Sequence, residues 1–242
     1  MEILDKIIEH GILKSQGEIV RELFVGVFLT YAKSKNYGIT YTYRDSLKPP
    51  HLLPDIRHRG SLRGMKAREI IPFIKSENPL EVSIGLAVLN SVLQTPADAV
   101  ELENFGDYLV SESQGKKVAM IGYFPFMDEV KKAADRFYLF ERTLDSQDAE
   151  RDLSPLSDAD ILITTGTIII NHSIEEILRK AENCRVIIVG PSAPFSCVLF
   201  DFGVDEIISI SVENPKLMIN SLSEGVIVPE IKGIKFFCWK RR

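Results

Sequence analysis

From residue 117 to the end of the chain, short apolar runs alternate with segments of helical period. The apolar runs fall near 117–121, 136–141, 160–165, 185–189 and 206–210, and the helical segments near 126–134, 174–182, 194–202 and 214–222. Such alternation predicts a parallel sheet with right-handed crossovers. Local chemistry agrees: Ser173-x-x-Glu176 reads as a capping box, Asn214-Pro215 as a capped helix start, and Gly203 as a helix stop. The run IKFFCWK (234–240) predicts a further strand at the sheet edge.

The first part of the chain has a different pattern. Ile3, Leu4, Ile7 and Ile8 share one helical face over residues 2–14. The runs LFVGVFLTYA (23–32) and YGITYTYR (37–44) are dense in β-branched and aromatic residues, and KSKNYG between them predicts an antiparallel hairpin. A loop rich in proline and arginine leads to a predicted helix over Met65–Ile74. At Asn78-Pro79-Leu80-Glu81 the asparagine caps a helix, the proline takes its first position, and Glu81 is placed to reach back to the cap. The helix predicted from there to Gln94 is apolar almost all round, as when both sides are covered, with Asn90 as the exception. A buried amide needs partners, so Asn90 either braces nearby backbone or points into a cavity.

The stretch 95–116 is acidic and polar with one predicted helix, and the linker falls at its start. The fold class expected is α/β: a small N-terminal α+β domain over residues 1–96, then a Rossmann-like parallel-sheet domain over 97–242.

Composition narrows the partners. The 242 residues are 45% hydrophobic, enough for two modest cores. A net charge of −5 argues against a general nucleic-acid binder, which needs a basic face. The longest apolar runs are too short to span a membrane. The N-terminus, MEILDKIIEH, mixes acids with apolar residues, unlike a signal peptide, so a reduced, cytoplasmic location is expected. The three cysteines, Cys184, Cys197 and Cys238, have neither pairing nor metal-ligand spacing.

Three predicted strands break at glycine, and ligands of open α/β sheets bind beyond the strand carboxyl ends, so Gly122, Gly166 and Gly190 are expected to line one crevice. After Gly122 come Tyr123 and Phe124, bulky where a dinucleotide-binding turn would carry glycine. Glu141, at the end of the next strand, stands where an acid holds a ribose hydroxyl or could serve as a hard oxygen donor to a metal. Thr165, Gly166 and Thr167 with Asn171, and then Gly190, Pro191 and Ser192, place hydroxyl, amide and backbone N–H groups at two adjacent strand ends. His172 reads as a helix-flanking surface residue. Arg57, Arg59, Arg63, Lys66 and Arg68 form a basic loop that could close over an anion.

The segments GSLRGMKAREI (60–70), NPLEVSIGLAVLN (78–90), VAMIGYFPFM (118–127), ADILITTGTIIINHSIEEIL (159–178) and VIIVGPSAPFSCVLFDFGVDEI (186–207) together resemble the "putative heavy-metal chelation" family across nearly the whole chain. The resemblance implies an N-terminal domain similar to the enolase N-terminal fold, joined to a Rossmann-like domain, with the active site in the cleft between them. It points to Asn90, Gly122, Tyr123, Glu141, Thr165 to Thr167, Asn171 and Gly190 to Ser192. The function expected is binding of a small polar or anionic ligand in that cleft, a metal ion or metal complex included. Two alternatives stay open: a nucleotide- or S-adenosylmethionine-dependent transferase with a degenerate Rossmann turn, and a non-catalytic assembly subunit. Homo-oligomerisation also stays open.

Overall fold

The computed structural model describes residues 2–43, 56–140 and 152–242. Helix α1 (Glu2–Ser15) buries Ile3, Leu4, Ile7 and Ile8 on the predicted face. Strands β1 (Glu22–Val25), β2 (Leu29–Lys33) and β3 (Tyr37–Tyr41) form an antiparallel sheet in the order β1-β2-β3. The expected hairpin is thus a three-stranded meander. The run 23–32 folds back at Gly26, whose N–H donates to the Leu29 carbonyl at 3.0 Å. A Cβ there would lie 2.7 Å from that carbonyl oxygen, so glycine is what lets the turn close.

The helix predicted over Met65–Ile74 is α2 (Ala67–Ile70) followed by a 3-10 turn, Ile71–Lys75. Pro72 has no N–H to continue an α-helical ladder. Helix α3 (Pro79–Val92) starts as expected, with Asn78 accepting the Leu80 N–H at 3.1 Å. Glu81 does not turn back to the cap; its buried carboxylate takes the Arg57 N–H at 2.6 Å, the Arg57 guanidinium at 2.8 Å and the Ser76 hydroxyl at 2.6 Å.

The larger sheet contains β4 (Val100–Leu102), β5 (Lys117–Ile121), β6 (Arg136–Phe140), β7 (Ile161–Thr165), β8 (Arg185–Val189), β9 (Glu206–Val212) and β10 (Ile234–Lys240), in the order β4-β10-β9-β8-β7-β5-β6. Five consecutive strands of it, β9-β8-β7-β5-β6, are parallel. Numbered by their own succession, they run 2-1-3-4-5, so the winding reverses between β5 and β7. β10 is not the edge. It pairs antiparallel with β9 on one side and with β4 on the other. The stretch 95–116 therefore supplies an edge strand as well as α4 (Phe105–Glu112).

The remaining helices are α5 (Met127–Ala133), α6 (Thr167–Ile170), α7 (Ile174–Lys180), α8 (Val198–Asp201) and α9 (Pro215–Ser223). The helix predicted over 194–202 is reduced to α8, since Pro191 and Pro194 hold the preceding segment out of helical geometry. The predicted capping box at Ser173 does not form. The Ser173 hydroxyl and N–H both donate to Asn171 Oδ1, at 2.6 and 3.1 Å.

Alternation along the strands sorts the core into two layers. Met120, Ile163 and Ile187 face one way and pack with Leu109 and Met218. Ala119, Leu162, Val186 and Ile188 face the other and join one continuous cluster with Leu4, Ile7, Ile74, Leu86 and Leu89. Apolar side chains of α1 and α3 thus share a core with one face of the large sheet. This fixes the small sheet over the carboxyl ends of β8 and β9.

Candidate functional site

β3 is an edge strand, and an edge leaves every second residue's backbone groups without a partner strand. Here three groups of β3 and the residues just after it are met by side chains. The Tyr43 N–H donates to Ser83 Oγ at 3.0 Å, the Tyr41 N–H to Ser192 Oγ at 3.0 Å, and the Ile39 carbonyl accepts from Asn90 Nδ2 at 3.0 Å. Ser192 Oγ also pairs with the Thr40 hydroxyl at 2.8 Å. The second Asn90 Nδ2 hydrogen goes to the Pro191 carbonyl at 2.9 Å. Asn90 and Ser192 thus stitch the small sheet to the turn after β8.

That turn is locked in its own right. Gly190 has φ of 105° and Gly122 has φ of 96°, conformations that L side chains rarely adopt. Gly166 has an ordinary φ of −61° but no room: a Cβ would lie 2.4 Å from Ala193 N and from the Ser192 carbonyl carbon. At Gly122 a Cβ would come within 2.8 Å of Thr165 Cγ2. Gly122, Thr165, Gly166, Ser192, Pro191 and Asn90 therefore make a continuous line of contacts across the carboxyl ends of β5, β7 and β8.

Beside Asn90 lies a cavity of about 240 Å³. One wall comes from Asn36, Tyr37, Gly38 and Gln94, and the other from Pro191, Phe195, Ser209 and Ser211. Because both Asn90 Nδ2 hydrogens go to carbonyls, the orientation of its amide is fixed. Its Oδ1 is buried and has no hydrogen-bond partner among the described residues.

The other expected residues have different surroundings. Tyr123 is exposed beside Gly122, while Phe124 is buried in the second core layer and stacks on Phe126 with centroids 5.3 Å apart. The N–H and hydroxyl of Thr167 both point to Thr165 Oγ1, each at 3.3 Å. The Asn171 side chain is exposed and held by Ser173, and Ser192 is buried with both partners inside the protein. Glu141 lies outside the described residues. In the basic loop, the Arg57 guanidinium is committed to Glu81 and lies over the Phe73 ring, 4.2 Å from its centroid. Burial alone would raise the Glu81 pKa, but the Arg57 and Ser76 hydrogen bonds outweigh it and hold the carboxyl below its usual range.

Sequence reasoning missed the polar contacts that bind the two parts of the chain. His172 is not a bystander: its Nε2 lies 2.7 Å from the Ile74 carbonyl, and its φ is 59°. His10 Nδ1 lies 2.8 Å from the buried Ser196 hydroxyl, and Glu175 accepts the Ile3 N–H at 3.0 Å. Burial, then the nearby Lys14 charge, lowers the His10 pKa. No local pattern marks these contacts, because the partners are far apart in sequence.

Metal binding can be judged from the donors. Among the described residues, no group of three His, Cys, Asp or Glu side chains converges. Burial pushes the Cys184 thiol up to about 11. Burial and the adjacent Glu206 push Cys238 up to about 12, which disfavours the thiolate that binds metal. Cys197 is exposed. The described cleft carries hydroxyls, amides and backbone groups, a donor set that does not fit a soft heavy metal. Among the described residues, no helix is long and apolar enough to cross a membrane.

The DUF364 family model matches residues 104–236 and the DUF4213 model matches residues 8–93, and both are described as "Putative heavy-metal chelation". An uncharacterized protein of Methanocaldococcus jannaschii is 29% identical over 184 residues, covering 66% of this chain and 68% of that protein. A crystal structure of a DUF364-family protein with unknown function from Desulfitobacterium hafniense superposes with a TM-score of 0.83 at 21% identity, covering 100% of both chains. Another from Pyrococcus horikoshii gives 0.82 at 19% identity, covering 99% of this chain and 100% of that one. These two show the fold. Since one family model spans more than half of the sequence and the other covers most of the first part, the chain belongs to the family described as putative heavy-metal chelation.

Proposed function

We propose that the protein binds a small polar ligand in the cleft where the small sheet meets the carboxyl ends of β8 and β9. The observation that carries this reading is Asn90: it lines the cavity, both its amide donors are used, and its buried Oδ1 lacks a partner among the described residues. A buried acceptor left unmet costs about 1–3 kcal/mol, which a ligand donor would recover. The reversal of winding between β5 and β7 and the tight glycine turns support the same side of the sheet as the binding face. We read the chain as a small enolase N-terminal-like domain through residue 96 followed by a Rossmann-like domain, a division supported by the separate sheets. No catalytic step is assigned to these groups.

The test is thermal unfolding of the purified protein against a panel of small polar metabolites, nucleotides and metal ions. A ligand of the folded state at a hundred times its dissociation constant adds about 2.7 kcal/mol. The expected result is a saturable rise in Tm that is lost in Asn90→Leu. If every Asn90-dependent shift is missing at millimolar ligand, the cleft reading falls.

A further inference from the structure

Among the described residues, those that wall the cavity beside Asn90 are all uncharged. We infer that its ligand is a small uncharged molecule presenting an N–H or O–H donor and an apolar face, of the carboxamide or lactam-heterocycle class. This inference rests on the cleft-binding reading above and adds the ligand's chemistry to it.

Charge is the first discriminator. An ion taken out of water without a counter-charge pays several kcal/mol, and among the described residues the cavity walls contain no Asp, Glu, Lys, Arg, His or Cys. The carboxylates that reach wall residues are Glu22, which accepts from the Tyr37 hydroxyl at 3.1 Å and pairs with Lys33, and Glu213, 3.4 Å from the Ser211 hydroxyl. Glu22 is offset by Lys33, whose ammonium lies over the Tyr37 ring, 4.8 Å from its centroid, whereas Glu213 opposes an anion. The dipole of Asn90 opposes one too, because its fixed amide leaves the carbonyl oxygen over. Among the described residues, a soft metal ion finds none of the thiolate or imidazole donors that would hold it.

Shape and polarity supply the rest. Leu93, Phe195, Ile210 and Val212 form the apolar part of the wall, and the Gln94, Thr95, Ser209 and Ser211 side chains the hydrogen-bonding part. A volume near 240 Å³ falls below the roughly 300–1,000 Å³ of sites for drug-sized ligands, so one small ring with a single amide is the size expected. The Gln94, Thr95 and Ser211 side chains on the wall would meet the donor and acceptor of that amide.

A matched set of probes tests the class. Benzamide, benzoate and benzamidinium share one ring and differ in charge, and uracil, Zn²⁺ and Cd²⁺ extend the comparison. Each is titrated into the full-length protein labelled with ¹⁵N, and the amide signals of Gly38, Gln94 and Ser211 report the site. Benzamide or uracil is expected to move these signals, with benzoate and benzamidinium at least about tenfold weaker, equivalent to 1.4 kcal/mol. Asn90→Leu should abolish the response. Because that change also removes two braces, Ser211→Val, which narrows the cavity and leaves Asn90 bonded, should weaken benzamide while keeping Tm. If benzoate, benzamidinium or Cd²⁺ moves the same signals at lower concentration, the ligand class is wrong and the cleft stands. If none of the probes moves them, the inference and the cleft reading fall together.

Discussion

Ser192→Ala tests whether a single hydroxyl holds the two parts of the chain together. The substitution removes the oxygen that accepts the Tyr41 N–H at 3.0 Å and pairs with the Thr40 hydroxyl at 2.8 Å. Thr40 and Ser192 are 0% and 1% exposed, so water does not take over readily. Two orphaned polar groups at about 1–3 kcal/mol each put the expected cost near 2–6 kcal/mol. Thr40→Val keeps the shape and leaves Ser192 to accept the Tyr41 N–H, so its cost should be about 1 kcal/mol. In the Thr40→Val background, Ser192→Ala orphans only the Tyr41 N–H, which implies a coupling of about 1–3 kcal/mol between the sites. Urea unfolding with an unchanged m-value measures all three terms. Hydrogen exchange at Tyr41 should accelerate in Ser192→Ala alone and in the double variant, but not in Thr40→Val. A Ser192→Ala cost below about 0.5 kcal/mol, the range of an ordinary surface change, would refute the clasp.

Two further predictions concern the turns and the interface. Gly166→Ala should be far more damaging than Gly190→Ala: the first drives a methyl into backbone 2.4 Å away, whereas the second meets open space and pays only for its φ of 105°, about 1–2 kcal/mol. Comparing their melting temperatures checks the order, and equal losses would contradict it. The lowered His10 pKa predicts that stability is fully present above the unfolded value near 6.5 and is lost as pH falls through the lower folded value. Tm measured from pH 8 to 5 should fall more steeply for the wild type than for His10→Gln, and parallel curves would exclude the histidine as the cause.

Much of the fold is legible along the chain. β5, β7 and β8 lie within a residue of the apolar runs that predict them, because buried parallel strands must be apolar on both faces. What local pattern cannot report is pairing. β4 is three residues in an acidic stretch, and only its register with Phe236–Cys238 makes it a strand. Glu81 stands at the right spacing for a capping box, yet Arg57 and Ser76 outbid the cap. At the site, Asn90 is visible as a polar break in an apolar helix, whereas Ser192 looks like one more hydroxyl beside a glycine. Its partners, Thr40 and Tyr41, are set by tertiary packing, and so the sequence placed it among ligand-contacting groups.

The way β3's edge is sealed bears on how the chain emerges from the ribosome. Ser83 and Asn90 arrive early and satisfy Tyr43 and Ile39, but the Tyr41 N–H waits for Ser192. The apolar surfaces of α1 and α3 likewise wait for Leu162, Val186 and Ile188. Until then the nascent N-terminal part carries an open strand edge beside uncovered hydrophobic surface, the combination that favours association between chains. Although two family models recognise the halves separately, a polypeptide stopped before β8 would leave this strand edge and apolar surface uncovered. Synthesis must pass residue 192 before the first half of the molecule is finished.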